Sequence, residues 1–207
     1  MVRGKNVNLG MAVPAVKPTV TFATPQEYLA LERVSKEKHE YFQGKIIAMA
    51  GASLVHIRLV ANLLGEIRGE LKDKPCEVLP SDIRIAVPSG ESYMYPDVTI
   101  VCGQPELTDA QFDTLKNPMV VFEVLSPSNE DHDRGKKFFF YRQIPSFKEY
   151  FLVDTTRSFV EISRREENGA WKFETVDDLN AQLFISSVGI SIPLAEIYRN
   201  VNFPPEA

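Results

Sequence analysis

Apolar residues recur along the chain with two periods, one typical of helices and one typical of strands. From Leu54 to Leu71 they return every three or four positions, which predicts a helix with one buried face. The members of that stripe are Val60, Leu63, Leu64, Ile67 and Leu71. Thr24-Pro25-Gln26-Glu27 is a capping box and predicts the start of a shorter helix.

Short apolar or alternating runs predict the strands. The nearly all-apolar run from Met119 to Leu125 predicts a central strand, because an apolar strand needs cover on both faces. The other predicted strands are Glu77 to Leu79, Asp82 to Val87, Asp97 to Cys102, Glu149 to Val153 and a last one near Leu183 to Ser186.

Turns and crossovers set the fold class. Gln43-Gly44 between Tyr41 and Ala48 predicts a hairpin or a bend entering the sheet, and Asn168-Gly169 between Phe159 and Val176 predicts a hairpin. A helix from about Asn129 to Gln143 follows the central strand, and a short helix follows Pro193. Mixed crossovers and hairpins predict an α/β domain with a mixed central sheet flanked by helices.

The 207 residues suit one domain, which we expect to span residues 24–207. Met1 to Ala23 carries two prolines and no sustained period, so we expect a flexible or partner-dependent arm. No apolar run approaches the ~20 residues needed to cross a bilayer, and the start does not resemble a secretory signal. A cytoplasmic protein without a membrane partner is expected.

The spacing of the cysteines and the net charge of the chain argue against some classes of protein. Cys76 and Cys102 lie on apolar segments without CxxC or Cys/His spacing, which favours buried free thiols over zinc or a disulfide. A net charge of -5 and a pI of about 5.3 argue against a protein that coats nucleic acid. A metal-dependent nuclease is compatible with these values, because its active site concentrates carboxylates.

Two carboxylates interrupt apolar strands. Asp97 follows Tyr95-Pro96, and Glu123 lies inside the central strand. Burying either side chain costs several kcal/mol unless it is paired or metal-bound. For Glu123, the alternatives are a buried arginine partner or a position at a strand end that faces solvent.

Three motifs in this order make the chain resemble a known family. They are Tyr95-Pro96-Asp97, Phe122-Glu123-Val124-Leu125-Ser126-Pro127-Ser128, and Asp133-Arg134-Gly135-Lys136-Lys137 with Tyr141. They resemble the restriction endonuclease family once catalogued as a domain of unknown function, which belongs to the PD-(D/E)XK nuclease superfamily. His39-Glu40-Tyr41-Phe42-Gln43-Gly44-Lys45 is similar to its opening motif. The resemblance extends from about Thr24 to Val201.

The resemblance implies a restriction-endonuclease-like core in which Asp97 and Glu123 bind Mg²⁺ or Mn²⁺. The chain departs from the superfamily pattern at Leu125, which takes the usual position of the lysine. In the resembled family this lysine has moved to the following helix, where Lys136 and Lys137 are the candidates. Lys137 shares a helical face with Tyr141, so we expect Lys137 to be the catalytic lysine and Lys136 to face solvent or a distant phosphate.

Four further residues are additional candidates. Glu40 matches the family's leading acidic position, or is a plain surface glutamate. Asp82 is a supporting acid or a turn residue, and His56 is a general base or a core histidine. Tyr141 is expected to point its hydroxyl toward the cleft between Asp97 and Glu123.

These residues predict a metal-dependent endonuclease that hydrolyses the phosphodiester bonds of DNA. The alternatives are a catalytically inactive nuclease-fold module that binds nucleic acid or a protein, and a phosphatase acting on small esters. A modest basic face for DNA is formed by Arg134, Lys136, Lys137, Arg142 and Lys148. The apolar Phe138-Phe139-Phe140 run suggests a homodimer, since cutting both strands of a duplex usually needs two active sites.

Overall fold

A computed structural model describes residues 21–111, 113–126 and 130–203 of the chain. Most of the predicted N-terminal arm, residues 1–20, lies outside the described residues. Thr21–Phe22 at its end form a strand against Lys45–Ala48. Within the described ranges, no helix has both the length and the apolar character needed to cross a bilayer.

The described residues contain fourteen strands, four α-helices and one π-helical segment. The strands are β1 (Thr21–Phe22), β2 (His39–Phe42), β3 (Lys45–Ala48), β4 (Cys76–Pro80), β5 (Arg84–Ala86), β6 (Ser92–Met94), β7 (Val98–Cys102), β8 (Thr114–Leu115), β9 (Val120–Val124), β10 (Glu149–Val153), β11 (Val160–Arg165), β12 (Trp171–Val176), β13 (Gln182–Ile185) and β14 (Ile190–Pro193). The helices are α1 (Pro25–Glu32), α2 (Leu54–Glu70), α3 (Phe138–Tyr141) and α4 (Leu194–Ile197). A π-helical segment, His132–Lys137, leads directly into α3.

The central sheet has six strands in the order β12-β11-β10-β9-β7-β4. Only β9 and β10 run parallel within it, so the sheet is mixed, as predicted. Every residue of β9 is buried, because helices cover both faces of the sheet. The prediction that this strand is central is therefore confirmed.

Alternation along β9 assigns its side chains to two cores. Val120, Phe122 and Val124 face α2, whose Leu59, Leu63 and Ile67 are fully buried. Val121 and Leu125 belong to the opposite core, together with Phe138, Phe140 and Tyr141 of α3. Glu123 has the parity of Val121 and Leu125, so this buried acid lies on the side covered by the π segment.

A second six-stranded sheet, in the order β1-β3-β2-β6-β5-β8, packs against that same core. The Gln43-Gly44 turn, predicted as a hairpin or a bend, forms a hairpin, and both turn residues adopt positive φ (48° and 91°), as such a turn requires. The sheet as a whole was not predicted. Strands β1, β6 and β8 have two or three residues each, too few to show a period.

The free-thiol prediction for the cysteines is wrong. Cys76 and Cys102 are direct partners in the antiparallel register of β4 and β7, and they form a disulfide. Neither side chain is fully buried. The bond depends on the register between two strands that are far apart in sequence, which cysteine spacing does not show.

The helix predicted from about Asn129 to Gln143 is also corrected. Asn129 lies outside the described residues, and α3 ends at Tyr141. Before α3, the backbone forms the wider turns of a π-helix from His132 to Lys137. Such segments are rare and frequently occur at functional sites.

We predict that the disulfide stabilises the fold. It closes a loop with a sequence separation of 26 residues, and cross-links of this kind typically contribute about 2–4 kcal/mol by restricting the unfolded chain. Urea unfolding of the oxidised protein, repeated with a reductant, should show a lower midpoint after reduction.

A Cys76→Ser/Cys102→Ser double variant is the matched control, and its midpoint should not respond to the reductant. Identical midpoints for the wild-type protein in both conditions would contradict the prediction.

Candidate active site

Neighbouring strands bring Asp97 and Glu123 to the same edge of the central sheet. Val98 of β7 is the partner of Phe122 of β9, so the same register continues to Asp97 opposite Glu123. Residues directly opposite in an antiparallel pair point to the same face. The backbone N–H of Val124 donates to Asp97 Oδ2 at 2.7 Å, which ties the two strand ends together.

Glu123 is buried, with 2% of its surface exposed. Its Oε1 accepts hydrogen bonds from Lys137 Nζ at 3.2 Å and from the Tyr141 hydroxyl at 3.1 Å. Burial raises the pKa of Glu123. The positive charge of Lys137 opposes this rise, but the nearby carboxylates of Asp133 and Asp97 reinforce it. Tyr141 therefore takes the position that the sequence predicted.

Lys137 joins the two sheets through three carboxylates. Its Nζ lies 2.9 Å from Glu40 Oε1 on β2, 3.2 Å from Glu123 Oε1 on β9 and 3.2 Å from Asp133 Oδ1 on its own segment. Burial alone would lower the pKa of Lys137, but the carboxylates, Glu123 first, outweigh it and raise that pKa. The ammonium group is therefore a fixed positive charge.

The two candidate lysines are adjacent in the π segment but point into different surroundings. Lys137 is buried beside Glu123, whereas Lys136 places its Nζ 4.4 Å from the centre of the Phe42 ring. Burial, reinforced by the charge of Lys45, lowers the pKa of Lys136. The expected placement of Lys137 beside Tyr141 and Glu123 agrees with this geometry, and its catalytic role stays a prediction.

Asp133 is a member of the cluster that the sequence analysis did not single out. It is fully buried, and burial raises its pKa to about 6 from an ordinary value of 3.8, although Lys137 opposes the rise. Its Oδ2 has no hydrogen-bond partner among the described residues. The spacing of four residues from Lys137 was the signal that could have identified it.

His56, on α2, contacts the carboxylate of Asp97. Its Nε2 lies 3.0 Å from Asp97 Oδ1, near the start of α2, where Ser53 caps the helix by accepting from the His56 N–H. Burial lowers the pKa of His56, but the hydrogen bond and charge of Asp97 outweigh this effect, so the net shift is upward. His56 thus orients Asp97.

Glu40 reaches the cluster from the second sheet. Its Oε1 accepts the Tyr95 N–H at 3.1 Å in addition to its contact with Lys137. Its Oε2 lies 3.8 Å from Nε2 of His132, whose pKa is lowered by burial. His132 packs edge-on against Phe42, and no pattern in the sequence indicated its place here.

Asp82 has surroundings unlike those of the other candidates. Its side chain is 82% exposed, and its Oδ1 pairs with Lys38 Nζ at 2.6 Å. In the part of the chain that the structure describes, the Asp82 side chain pairs with Lys38 and not with any member of the buried cluster. Asp82 is therefore a useful surface reference for Asp97.

The buried groups are compatible with a hard divalent cation. Within residues 21–111, 113–126 and 130–203, no three His, Cys, Asp or Glu side chains form a preformed metal cage. Mg²⁺ is often held by only one or two carboxylates, with waters and substrate phosphates completing its shell. Asp97 and Glu123 provide two carboxylates, and the Asp133 Oδ2 atom is a buried acceptor without a hydrogen bond.

Comparisons with known proteins identify the family of this chain. The model of the Uma2 family, described as "Putative restriction endonuclease", matches residues 25–195. Two uncharacterized proteins of Synechocystis sp. are similar: sll1609 is 37% identical over 84% of this chain and 99% of its own length, and slr1290 is 35% identical over 87% and 93%.

A solved structure shares the fold. It is the crystal structure of a putative nuclease belonging to DUF820 from Anabaena variabilis, and it matches with a TM-score of 0.71 at 17% identity. The match covers 85% of this chain and 97% of that chain. The predicted α/β class, with a restriction-endonuclease-like mixed sheet flanked by helices, is confirmed.

We predict that Lys137→Ala is far more destabilising than Lys136→Ala. Removing the buried ammonium leaves Glu40, Glu123 and Asp133 uncompensated, a change that typically costs about 3–5 kcal/mol. Lys136 is only partly buried, so its replacement should cost less than about 1 kcal/mol. Urea unfolding of both variants in EDTA at neutral pH measures the difference, and equal losses would contradict the buried cluster.

A second prediction concerns pH. The pKa of Asp133 is about 6 in the folded protein and lower in the unfolded chain, so the folded state binds more protons between these values. Its contribution to the free energy of unfolding should therefore fall as the pH rises from about 4 to about 6.

Asp133→Asn removes this titration. The difference in stability between the wild-type protein and the variant, measured in EDTA, should decrease through that window and be constant above it. A difference that is independent of pH would show that Asp133 titrates normally.

Proposed function

Because the chain belongs to the Uma2 family, we propose that it is a metal-dependent endonuclease that hydrolyses the phosphodiester bonds of DNA. The observation that carries the proposal is the convergence of Asp97 and Glu123, from adjacent strands, with the buried ammonium group of Lys137 beside Glu123. A binding module would not need a buried charge cluster, which costs free energy unless every member is paired.

Asp97 and Glu123 would hold Mg²⁺ or Mn²⁺ through their carboxylate oxygens. When bound, such an ion lowers the pKa of a water molecule and offsets the charge that develops on the phosphate. Both carboxylates are oriented by the protein. His56 and the Val124 N–H fix Asp97, while Tyr141 and Lys137 fix Glu123.

Lys137 supplies a positive charge in a region from which water is largely excluded. An ammonium group at such a place stabilises negative charge on the attacked phosphate more strongly than one in water, and it costs no reorganisation during the reaction. Asp133 and Glu40 keep that group in place from opposite sides. In our proposal they position Lys137 and do not contact the substrate.

The proposal includes a homodimer, because two sites are needed to cut both strands of a duplex. Phe138 and Phe140 are buried in the core of the chain and only Phe139 of the run is exposed, at 53%, so this run does not by itself form a dimer interface. Light scattering that finds only a 23.3 kDa species at working concentration would remove the dimer from the proposal.

A cytoplasmic location is also part of the proposal. The Cys76–Cys102 disulfide counts against it, because the cytosol keeps most thiols reduced. Alkylation of thiols in freshly lysed cells, followed by mass spectrometry, would find the pair reduced if the protein is cytoplasmic.

We predict that cleavage of plasmid DNA and of single-stranded DNA requires Mg²⁺ or Mn²⁺ and stops in EDTA. Asp97→Asn and Glu123→Gln should abolish it, since each removes a ligand charge with little change in shape. Lys137→Ala should reduce turnover by about 10²-fold or more, the typical effect of losing a positioned electrostatic group.

Asp82→Asn and Lys136→Ala are the matched controls for the acids and the lysine. Asp82→Asn should cut at the wild-type rate, and Lys136→Ala should bind DNA more weakly with near-normal turnover. Metal-dependent cleavage that survives both Asp97→Asn and Glu123→Gln would refute the assignment.

A further inference from the structure

A surface of exposed rings and arginines lies near the outer edge of the central sheet. We call it the arginine–aromatic surface, and it consists of Phe139, Arg142, Arg165, Trp171 and Phe173. Phe139 is 53% exposed and Phe173 is 67% exposed. The Phe173 ring lies 6.1 Å from the Phe138 ring, and the Arg142 guanidinium lies over both Phe138 and Phe139. The proposed active site does not use any of the five residues.

Packing holds these side chains in place. The Trp171 ring lies 4.9 Å from the buried Phe138 ring, and the Arg165 guanidinium lies 5.1 Å from the Trp171 ring. The Arg142 guanidinium lies 5.0 Å from Phe138 and 5.9 Å from Phe139. Arginines stacked on rings present a flat and ordered surface.

The positive charge of this surface is not neutralised. Among the described residues, the Arg165 guanidinium donates only to backbone carbonyls, those of Arg142, Ile144 and Pro145. Within the described part of the chain, no carboxylate pairs with Arg142 or Arg165. Burial, with the neighbouring charge of Arg142, lowers the pKa of Arg165. An anion placed here would relieve the repulsion between the two guanidinium groups.

Other arginines on nearby elements are paired with carboxylates. Arg134 pairs with Glu130 and Glu161, and Arg164 pairs with Glu149 and Glu174. Of the basic face predicted from the sequence, Arg134 is thus paired with acids, and Lys137 is buried in the carboxylate cluster rather than on this face. Lys148, whose carbonyl accepts the Arg165 N–H, adds a third cation beside the surface.

We propose that the arginine–aromatic surface binds unpaired nucleotides of the substrate, with bases on the exposed rings and phosphates on the arginines. The inference rests on the proposed nuclease function and specifies its substrate class. Aromatic side chains bind single strands by stacking with bases, whereas in a duplex the bases are already stacked on one another. Arginines beside rings provide the matching contacts to phosphate.

The surface is close enough to the carboxylates for one strand to reach both. Across the sheet, Phe173 on β12 pairs with Ser163 on β11, which pairs with Tyr150 on β10. Tyr150 in turn pairs with Val121 on β9, two residues before Glu123. Three strand spacings and two further residues along β9 place Phe173 about 16 Å from Glu123.

A groove of about 310 Å³ extends from Phe173 to Arg134 of the π segment. Glu161 and Glu174 also line it, and each is paired with an arginine.

Trp171 is the single tryptophan of the chain and therefore reports on this surface directly. The test is a fluorescence titration of the full chain in EDTA, with an oligothymidylate, an oligouridylate and a duplex, each of roughly 16 nucleotides or base pairs. We expect quenching by single strands and binding at least about tenfold tighter than to the duplex. The two oligonucleotides decide between DNA and RNA.

Phe139→Ala, Phe173→Ala and Arg142→Ala should each weaken single-strand binding by about tenfold, the range found for stacking contacts. Phe184→Ala, which removes another half-exposed ring, and Arg68→Ala, an exposed arginine on α2, are the controls and should bind as the wild type does. Urea midpoints of all five variants confirm that each one folds.

Equal affinity for duplex and single strand, or equal losses in the test and control variants, would overturn the inference. So would a dimer that dissociates in Phe139→Ala or Phe173→Ala, because the surface would then be an interface between copies. Binding in EDTA is independent of cleavage. A protein that binds single strands but never cuts with metal refutes the nuclease proposal alone, and one that cuts without this preference refutes only the present inference.

Discussion

A buried ammonium group shared by three carboxylates is the interaction on which the rest of the structure depends. Lys137 contacts Glu123 in the central sheet, Glu40 in the second sheet and Asp133 in its own segment, so one side chain fixes how three elements meet. Desolvating these charges is expensive, and well-packed apolar residues of similar volume would often be as stable or more so. The fold therefore carries a costly arrangement, which is understandable if the charges have a chemical use.

The sequence allowed the acids and the lysine to be predicted, because each depends on a local pattern. Asp97 and Glu123 interrupt apolar strands, and the helical spacing of Lys137 and Tyr141 placed both beside Glu123. The disulfide, the second sheet and the contact of His132 with Glu40 were missed. Each depends on the pairing of segments distant in sequence, and several strands of the second sheet are also too short to show a period.

Charge is distributed in a way that agrees with the proposed chemistry. The net charge of -5 argues against a protein that binds nucleic acid by charge over its whole surface. Acidic groups are concentrated around Lys137, where a divalent cation would compensate them, while Arg142 and Arg165 are left without acidic partners within the described residues. In our proposal Arg142 and Arg165 attract phosphates to one side of the site, and the exposed rings beside these arginines favour strands whose bases are free.

The central claim is that Asp97 and Glu123 form a divalent cation site. Titration of the chain with Mn²⁺, followed by electron paramagnetic resonance of the free ion, measures binding without any substrate. We predict saturable Mn²⁺ binding by the wild-type protein that is lost in Asp97→Asn and in Glu123→Gln and retained in Asp82→Asn. Saturable binding that is unchanged in both site variants, or no binding by the wild-type protein, would contradict the account.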